Sequence, residues 1–126
     1  MKTFLYELTV IAGAVKNHGI SLKKFPVRIS KQNFIPLNVS DEERASGCQT
    51  LLFRVPKEAL NVIKKGHTFD TADRIMRRVY LDNNKPETLN KFKRLMVAQV
   101  RETYNEMRDA IHITEETLQT IEEQVE

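Results

Sequence analysis

The pattern that decides the fold lies in residues 87–126, which read ETLNKFKRLMVAQVRETYNEMRDAIHITEETLQTIEEQVE. Apolar residues recur there at spacings of three and four, the repeat of an amphipathic helix or a coiled coil. Neither glycine nor proline interrupts the stretch, so it predicts one long C-terminal helix. The stripe, here named the apolar seam, consists of Val97, Val100, Tyr104, Met107, Ile111, Leu118, Ile121 and Val125, with Thr114 between Ile111 and Leu118.

The length of this helix bears on what covers the seam. A continuous helix over residues 87–126 would span about 60 Å, well beyond the diameter of a domain of this size. Part of the seam would then need another partner. Thr114 followed by Glu115 and Glu116 is also a good helix start, so the helix can kink or restart near residues 112–114. The seam can also pack against the rest of the same chain.

Charges beside the seam suggest how two copies would pair. With Val97 as heptad position a, the e positions are Arg101, Arg108, Glu115 and Glu122. In an antiparallel pair Arg101 would face Glu122 of the other copy, and Arg108 would face its Glu115. The sequence therefore predicts a homo-oligomer that forms through antiparallel pairing of the C-terminal helix.

The rest of the chain predicts the compact body of a single α+β domain, 1–126, in which residues 1–86 precede the long helix. Residues 3–18 carry apolar side chains at spacings of four, three and four, namely Phe4, Leu8, Ile11 and Val15, which predicts an N-terminal helix. The run Thr9–Ile11 contains branched side chains, which favour a strand instead.

A small sheet and two short helices are predicted between these two ends. Residues 25–39 alternate in polarity and predict a β-hairpin, and the apolar residues 50–55 predict a buried strand. Together they give a small antiparallel sheet of about three strands. Pro56 precedes a predicted short helix at 57–65, and a second short helix is predicted at 71–82.

Composition limits the class of protein and its compartment. The chain has 126 residues, of which 40% are hydrophobic, with a net charge of +3, as in a folded domain with one core. Cys48 is the only cysteine, so an intrachain disulfide is excluded. Glu7 interrupts the apolar run near the N-terminus, which argues against a secretion signal. Without a long apolar run, we expect a soluble cytoplasmic protein without membrane contact.

Signatures of catalysis are missing from the sequence. It has no glycine-rich phosphate loop, no Gly-x-Ser-x-Gly turn and no Cys and His pair at zinc-ligand spacing. His67, Asp70 and Asp73 could hold a metal or form an acid and base pair, but helix capping explains the two aspartates without a ligand. Cys48 precedes an apolar strand and is expected to be an unreactive core residue. We expect a non-enzymatic protein with no catalytic residue, cofactor or metal.

Basic residues are concentrated before Asp109, where the chain has 20 basic and 11 acidic residues. A high density of basic residues favours binding to a phosphate backbone, because each phosphate that a cation neutralises releases bound counterions. The alternative is a solvated basic surface with no partner. The residues expected to contact nucleic acid or an acidic partner are Lys64, Lys65, Arg74, Arg77, Arg78, Lys91, Lys93 and Arg94.

The arrangement of these basic residues limits how nucleic acid could be bound. The helices at 57–65 and 71–82 would be joined by a longer connection than a helix-turn-helix uses, so that match is weak. Aromatic residues are sparse among the basic groups, which gives little support to stacking on single strands. Tyr80 and Phe92 are expected in the core.

These observations favour a small binding or regulatory protein. It would self-associate through its C-terminal helix, and its basic body would engage nucleic acid or an acidic protein surface. The alternative is a protein-interaction or inhibitory module. That module would dock its C-terminal helix on another protein and would not bind nucleic acid.

Overall fold

The computed structural model describes residues 3–14, 18–37, 54–65 and 70–125. In these residues a curled antiparallel sheet of five strands carries two helices on one face. The strands follow the order β4-β3-β2-β1-β5. The elements are β1 (Thr3–Gly13), β2 (Gly19–Ile29), β3 (Asn33–Pro36), β4 (Val55–Pro56), β5 (Arg74–Leu81), α1 (Pro86–Glu106) and α2 (Glu115–Glu123), and a 3-10 turn covers Lys57–Ala59.

The predicted N-terminal helix is wrong, because residues 3–13 form β1 at the centre of the sheet. β1 pairs with β2 along one edge and with β5 along the other. Leu8 and Val10 face the helices, whereas Leu5 is buried on the opposite face. A strand buried on both faces has an almost continuous apolar run, and such a run contains helical spacings by chance. The branched residues Thr9–Ile11 were the correct signal.

The two predicted short helices are also wrong. Residues 74–81 form β5, whose Ile75, Val79 and Leu81 alternate toward the helix side of the sheet. In the other segment only Lys57–Ala59 is helical, as a single 3-10 turn. The chain after this turn runs beside β5, where Lys64 exchanges two backbone hydrogen bonds with Arg78. Those bonds satisfy the backbone N–H and C=O of Arg78 on the outer edge of β5.

The sheet is larger than the three strands expected. β2 and β3 pair as an antiparallel hairpin with Ile29 opposite Phe34, where the sequence predicts one, but β2 begins earlier, at Gly19. β4 is a two-residue strand in which Val55 pairs with Phe34. The residues 50–53 of the predicted third strand lie outside the described part of the chain.

The expected continuous C-terminal helix is wrong, since α1 ends at Glu106 and α2 begins at Glu115. Thr114 is the N-cap of α2, and its side chain accepts a hydrogen bond from the Thr117 backbone N–H. The break lets α2 turn back onto the sheet, where it contacts β1 and β2. Neither helix in the described residues is long and apolar enough to cross a membrane.

The two faces of the sheet bury two separate clusters. The helix-side core joins β1 and β5 to both helices, through residues such as Leu8, Met96 and Leu118. The second core lies on the opposite face, where Leu5, Phe34 and neighbouring residues pack together. The helices lie on one side of the sheet only. The part of that side that they do not cover remains accessible to solvent.

Leu118 tests the packing of α2 on the sheet, because it is 2% exposed in the helix-side core. Leu118→Ala is expected to lower the free energy of unfolding by about 2–5 kcal/mol, through lost burial and a residual cavity. Leu95→Ala removes the same atoms from a side chain that is 46% exposed, and should cost roughly 0.5 kcal/mol. Urea unfolding followed by circular dichroism measures both, and equal losses would contradict the burial of α2.

Candidate functional site

Arg77 and Arg78, two of the residues expected to contact nucleic acid, lie on β5. Side chains of consecutive strand residues point to opposite faces, so the two guanidinium groups cannot share one surface. Both residues are buried, with 4% and 8% of their surface exposed. Each is part of a separate polar cluster within the fold.

The Arg77 side chain connects β5 to α1 and to the chain before β5. Its guanidinium donates hydrogen bonds to Asp70 Oδ1 at 2.8 Å, to Gln99 Oε1 at 3.2 Å and to Thr103 Oγ1 at 2.8 Å. Lys65 Nζ lies 3.6 Å from Asp70 Oδ2, an ionic contact beyond hydrogen-bond distance. A buried cation is stable only when paired and hydrogen-bonded, and these partners meet that requirement.

On the second face, Arg78 lies over the Tyr80 ring, with 5.1 Å between the guanidinium carbon and the ring centre. Tyr80 is hydrogen-bonded to Glu7, another buried residue. Burial raises the pKa of Tyr80 and the Glu7 carboxylate raises it further, so the phenol stays protonated at neutral pH. The cluster links β1 to β5, and the expected burial of Tyr80 is confirmed.

The other six predicted contact residues are spread over three elements. Lys64 and Lys65 follow the 3-10 turn, Arg74 begins β5, and Lys91, Lys93 and Arg94 lie on α1. Lys91 Nζ lies 5.6 Å from the ring centre of Phe92, which is buried as expected. A contact of these residues with nucleic acid or an acidic protein stays a prediction.

The apolar seam is covered largely by the chain itself. Val97, Val100, Leu118 and Ile121 are buried in the helix-side core, and Tyr104, Ile111 and Val125 pack against it. Met107, at the end of α1, is half-buried. Pairing between two copies is therefore not needed to remove this stripe from water, and self-association stays a prediction.

One of the two ion pairs expected between copies, Arg101 with Glu122, forms within one chain, whereas Glu115 pairs with Arg101 rather than with Arg108. Arg101 Nη1 donates to Glu115 Oε2 at 2.7 Å, and Arg101 Nη2 donates to Glu122. Arg101 thus holds both ends of α2 beside α1. The break between the helices makes this possible, because α2 runs back past Arg101.

The histidine and aspartate residues weighed as a metal site are not gathered into one. Asp70 pairs with Arg77, and Asp73 Oδ1 lies 2.7 Å from Nδ1 of the exposed His112. Among the described residues no group of three or more histidine, cysteine, aspartate or glutamate side chains could hold a metal ion. His67 and Cys48 lie outside the described residues.

Part of the helix side of the sheet is not covered by α1 or α2. On β1 the burial decreases from Leu8, which is fully buried, to Tyr6 and Phe4, which are half-buried. Directly paired residues of antiparallel strands share a face, so the strand register defines the uncovered surface. This surface, named the open sheet face, consists of Phe4, Tyr6, Leu22, Lys24, Pro26, Arg28, Ile35 and Leu37.

The open sheet face combines exposed apolar, aromatic and cationic side chains. Leu22 and Leu37 are each 42% exposed, and Lys24 and Arg28 are exposed cations. Lys24 pairs directly with Tyr6 and places its Nζ 4.0 Å from the ring centre of Phe4. In the described residues of β1, β2 and β3, this side of the sheet carries no carboxylate. Exposed apolar patches are a common feature of binding surfaces, which makes this face a candidate site.

A groove of about 770 Å³ lies between α1 and the chain after the 3-10 turn. Its walls mix the apolar residues Val62 and Leu95 with the polar residues Asp82, Lys91 and Gln99. Because charges of both signs line it, the groove has no electrostatic preference for an anion. The open sheet face is therefore the better candidate site.

The sequence alone does not predict Phe4 and Tyr6 as functional residues. Helical periodicity puts Phe4 on the apolar stripe of an N-terminal helix, and the sparse aromatic residues give little support to stacking. Alternation does place Phe4 and Tyr6 on one face once the segment is taken as a strand. Their position beside Lys24 depends on pairing with β2, which local sequence does not reveal.

Comparison with known protein families, with curated proteins and with solved structures gives no match to this chain.

Arg77 offers a test of the buried ion pair. Arg77→Met leaves Asp70 buried without its cation and is expected to lower the free energy of unfolding by about 3–5 kcal/mol. Adding Asp70→Asn should restore part of that loss, because it removes the uncompensated charge. Arg74→Met, at an exposed arginine of the same strand, should cost roughly 0.5 kcal/mol. Urea unfolding of the native protein, of Arg77→Met, of Asp70→Asn and of the double variant measures the coupling, and additive effects of the two substitutions would contradict it.

Acid pH should weaken the attachment of α2. The hydrogen bond from Arg101 lowers the pKa of Glu115, and the charges of Arg101 and Arg108 lower it further. The stabilisation is complete above the unfolded pKa of the carboxyl and is lost as pH falls through the lowered folded pKa. Glu115→Gln should therefore reduce the loss of stability on acidification, measured as the urea midpoint from neutral pH downward.

Glu116→Gln is the matched control for this measurement. Glu116 shares the first turn of α2 with Glu115, but it makes no ion pair with any described residue. The pH dependence of this variant should equal that of the native protein. Identical behaviour of the two variants would show that the Arg101 contact does not set the pH response.

Proposed function

We propose that the protein is a non-enzymatic binding protein that holds single-stranded nucleic acid on the open sheet face, without a cofactor. The observation that carries this proposal is the grouping of two half-buried aromatic rings, Phe4 and Tyr6, with the cations Lys24 and Arg28. Aromatic rings offer stacking surfaces to bases, and cations neutralise the phosphates that link them.

Electrostatics favour an anionic partner at this surface. Lys24 and Arg28 both lie on β2, and their side chains are on the same side of the sheet. No carboxylate shares that side of the described strands, so the strand residues themselves do not repel a phosphate chain. Each phosphate that a cation neutralises releases condensed counterions, which favours binding most strongly at low salt.

The aromatic and apolar residues favour a single strand over a duplex. In a duplex the flat surfaces of the bases are stacked on each other and cannot reach a protein ring, whereas unpaired bases can be splayed apart. Phe4 lies beyond the part of β1 that the helices cover, and Tyr6 lies at its border, half-buried and packed in part against the helix-side core. An acidic protein would use the two cations but would gain less from the rings.

Replacing the two cations tests the proposal. Lys24→Gln with Arg28→Gln is expected to weaken binding of a labelled single-stranded oligonucleotide on the order of tenfold. The slope of log affinity against log salt should fall by about 1.4, or about 0.7 for each lost phosphate contact. Fluorescence anisotropy over a series of salt concentrations measures both quantities.

Lys57→Gln with Arg108→Gln is the matched control, because it removes the same charge at exposed positions away from the open sheet face. It should retain nearly native affinity and salt slope. The proposal is overturned if no single strand binds at low salt, if the control weakens binding equally, or if a duplex or an acidic peptide binds as tightly as the single strand.

A further inference from the structure

We infer that the open sheet face selects an extended, unstacked, pyrimidine-rich strand, with one base on Phe4 and the next on Tyr6. This inference rests on the proposed function and adds the sequence class of its ligand. It follows from the spacing of the two rings, the position of Lys24 between them and the flexibility that the strand must have.

The spacing of the two rings sets the form of the bound strand. Phe4 and Tyr6 are two residues apart on one strand and share a face, so their attachment points are about 6.7 Å apart. Successive bases in a stacked strand are only about 3.4 Å apart. Bases that rest on both rings therefore cannot stay stacked on each other, and the strand must be extended.

Lys24 is placed to serve both the ring and the phosphate. Its Nζ lies 4.0 Å from the centre of the Phe4 ring, while its backbone is opposite Tyr6. A base that stacks on Phe4 takes the place of the ammonium group over the ring. The flexible lysine side chain then reaches the phosphate between the two bases, where a full negative charge holds it more strongly than the ring.

Arg28 extends the same path toward β3. It pairs with Ile35 at the far side of the face from β1, and Leu37 follows β3 on the same side. A strand that crosses from the rings to Arg28 passes over apolar side chains and meets a second cation. Among the described residues of this face, the polar groups beside the rings are the Tyr6 hydroxyl and the Lys24 ammonium, which can bond to any base or phosphate and do not select one base.

Base identity therefore acts through stacking within the free strand. A run of adenines stacks on itself, and binding must first break that stacking. A run of thymines or uracils is already largely unstacked, so it reaches the extended form at lower cost. We therefore expect oligo(dT) and oligo(U) to bind more tightly than oligo(dA). This order holds even though a purine base has a larger surface than a pyrimidine for stacking on an aromatic side chain.

The first experiment compares short oligo(dT) and oligo(dA) of equal length against the native protein at one low salt concentration. Oligo(dT) is expected to bind several-fold more tightly. Equal affinities, or tighter binding of oligo(dA), would overturn the inference while leaving single-strand binding intact. Failure of both oligonucleotides to bind would instead overturn the proposed function on which the inference rests.

The second experiment places a reporter on the predicted stacking surface. The chain contains no tryptophan, so Phe4→Trp introduces a single one. Saturation with oligo(dT) should quench its fluorescence strongly, because a base stacks on the indole. Leu95→Trp places the tryptophan at an exposed site of α1 outside the open sheet face. Its fluorescence should change little when oligo(dT) is added. Equal responses of the two variants would overturn the inference.

Phe4→Leu gives a test that does not depend on how tryptophan packs. It keeps an apolar side chain on β1 but removes the ring, so oligo(dT) should bind on the order of tenfold more weakly. The difference in affinity between oligo(dT) and oligo(dA) should also become smaller in this variant. Unfolding by urea measures whether the fold is retained, and unchanged affinity in a folded Phe4→Leu protein would overturn the inference.

Discussion

The register of β1 is the constraint on which the rest of the molecule depends. β1 pairs with β2 and β5 along both edges, with Tyr6 opposite Lys24 on one side and Leu81 on the other. This register sends Leu8 and Val10 to the helix side. A shift of one residue would put Glu7 and Thr9 there instead. Both cores and the open sheet face therefore derive from one alignment of three strands.

The break between the helices determines how much of this sheet is covered. A straight 40-residue helix would have run past the domain, whereas the cap at Thr114 lets α2 return to β1 and β2. Arg101 then binds both Glu115 and Glu122. The two helices bury the end of β1 that carries Leu8 and Val10, and they leave Phe4 accessible. The candidate binding surface exists because the helical layer is shorter than the sheet.

Charge alone does not indicate where this protein would bind an anion. Arg77 is paired with Asp70, and Arg78 lies over Tyr80 beside Glu7. Cations used inside the fold are not available to a phosphate chain. Lys24 and Arg28 are not among the predicted contact residues, but they are exposed on a face where the described residues of β1, β2 and β3 carry no carboxylate. The geometry of the strands, rather than the local density of basic residues, supports the proposed function.

The sequence by itself determined the local features: an apolar C-terminal stripe, a helix start at Thr114, a hairpin near Ile29 and Phe34, and a core position for Tyr80 and Phe92. Each follows from spacing, capping or turn residues that are neighbours in the chain. Only the tertiary structure decided that residues 3–13 and 74–81 are strands. Both are buried on two faces, and their apolar residues also fall at helical spacings. The coverage of the seam and the grouping of Phe4, Tyr6 and Lys24 were likewise decided by contacts between segments distant in sequence, which no local pattern encodes.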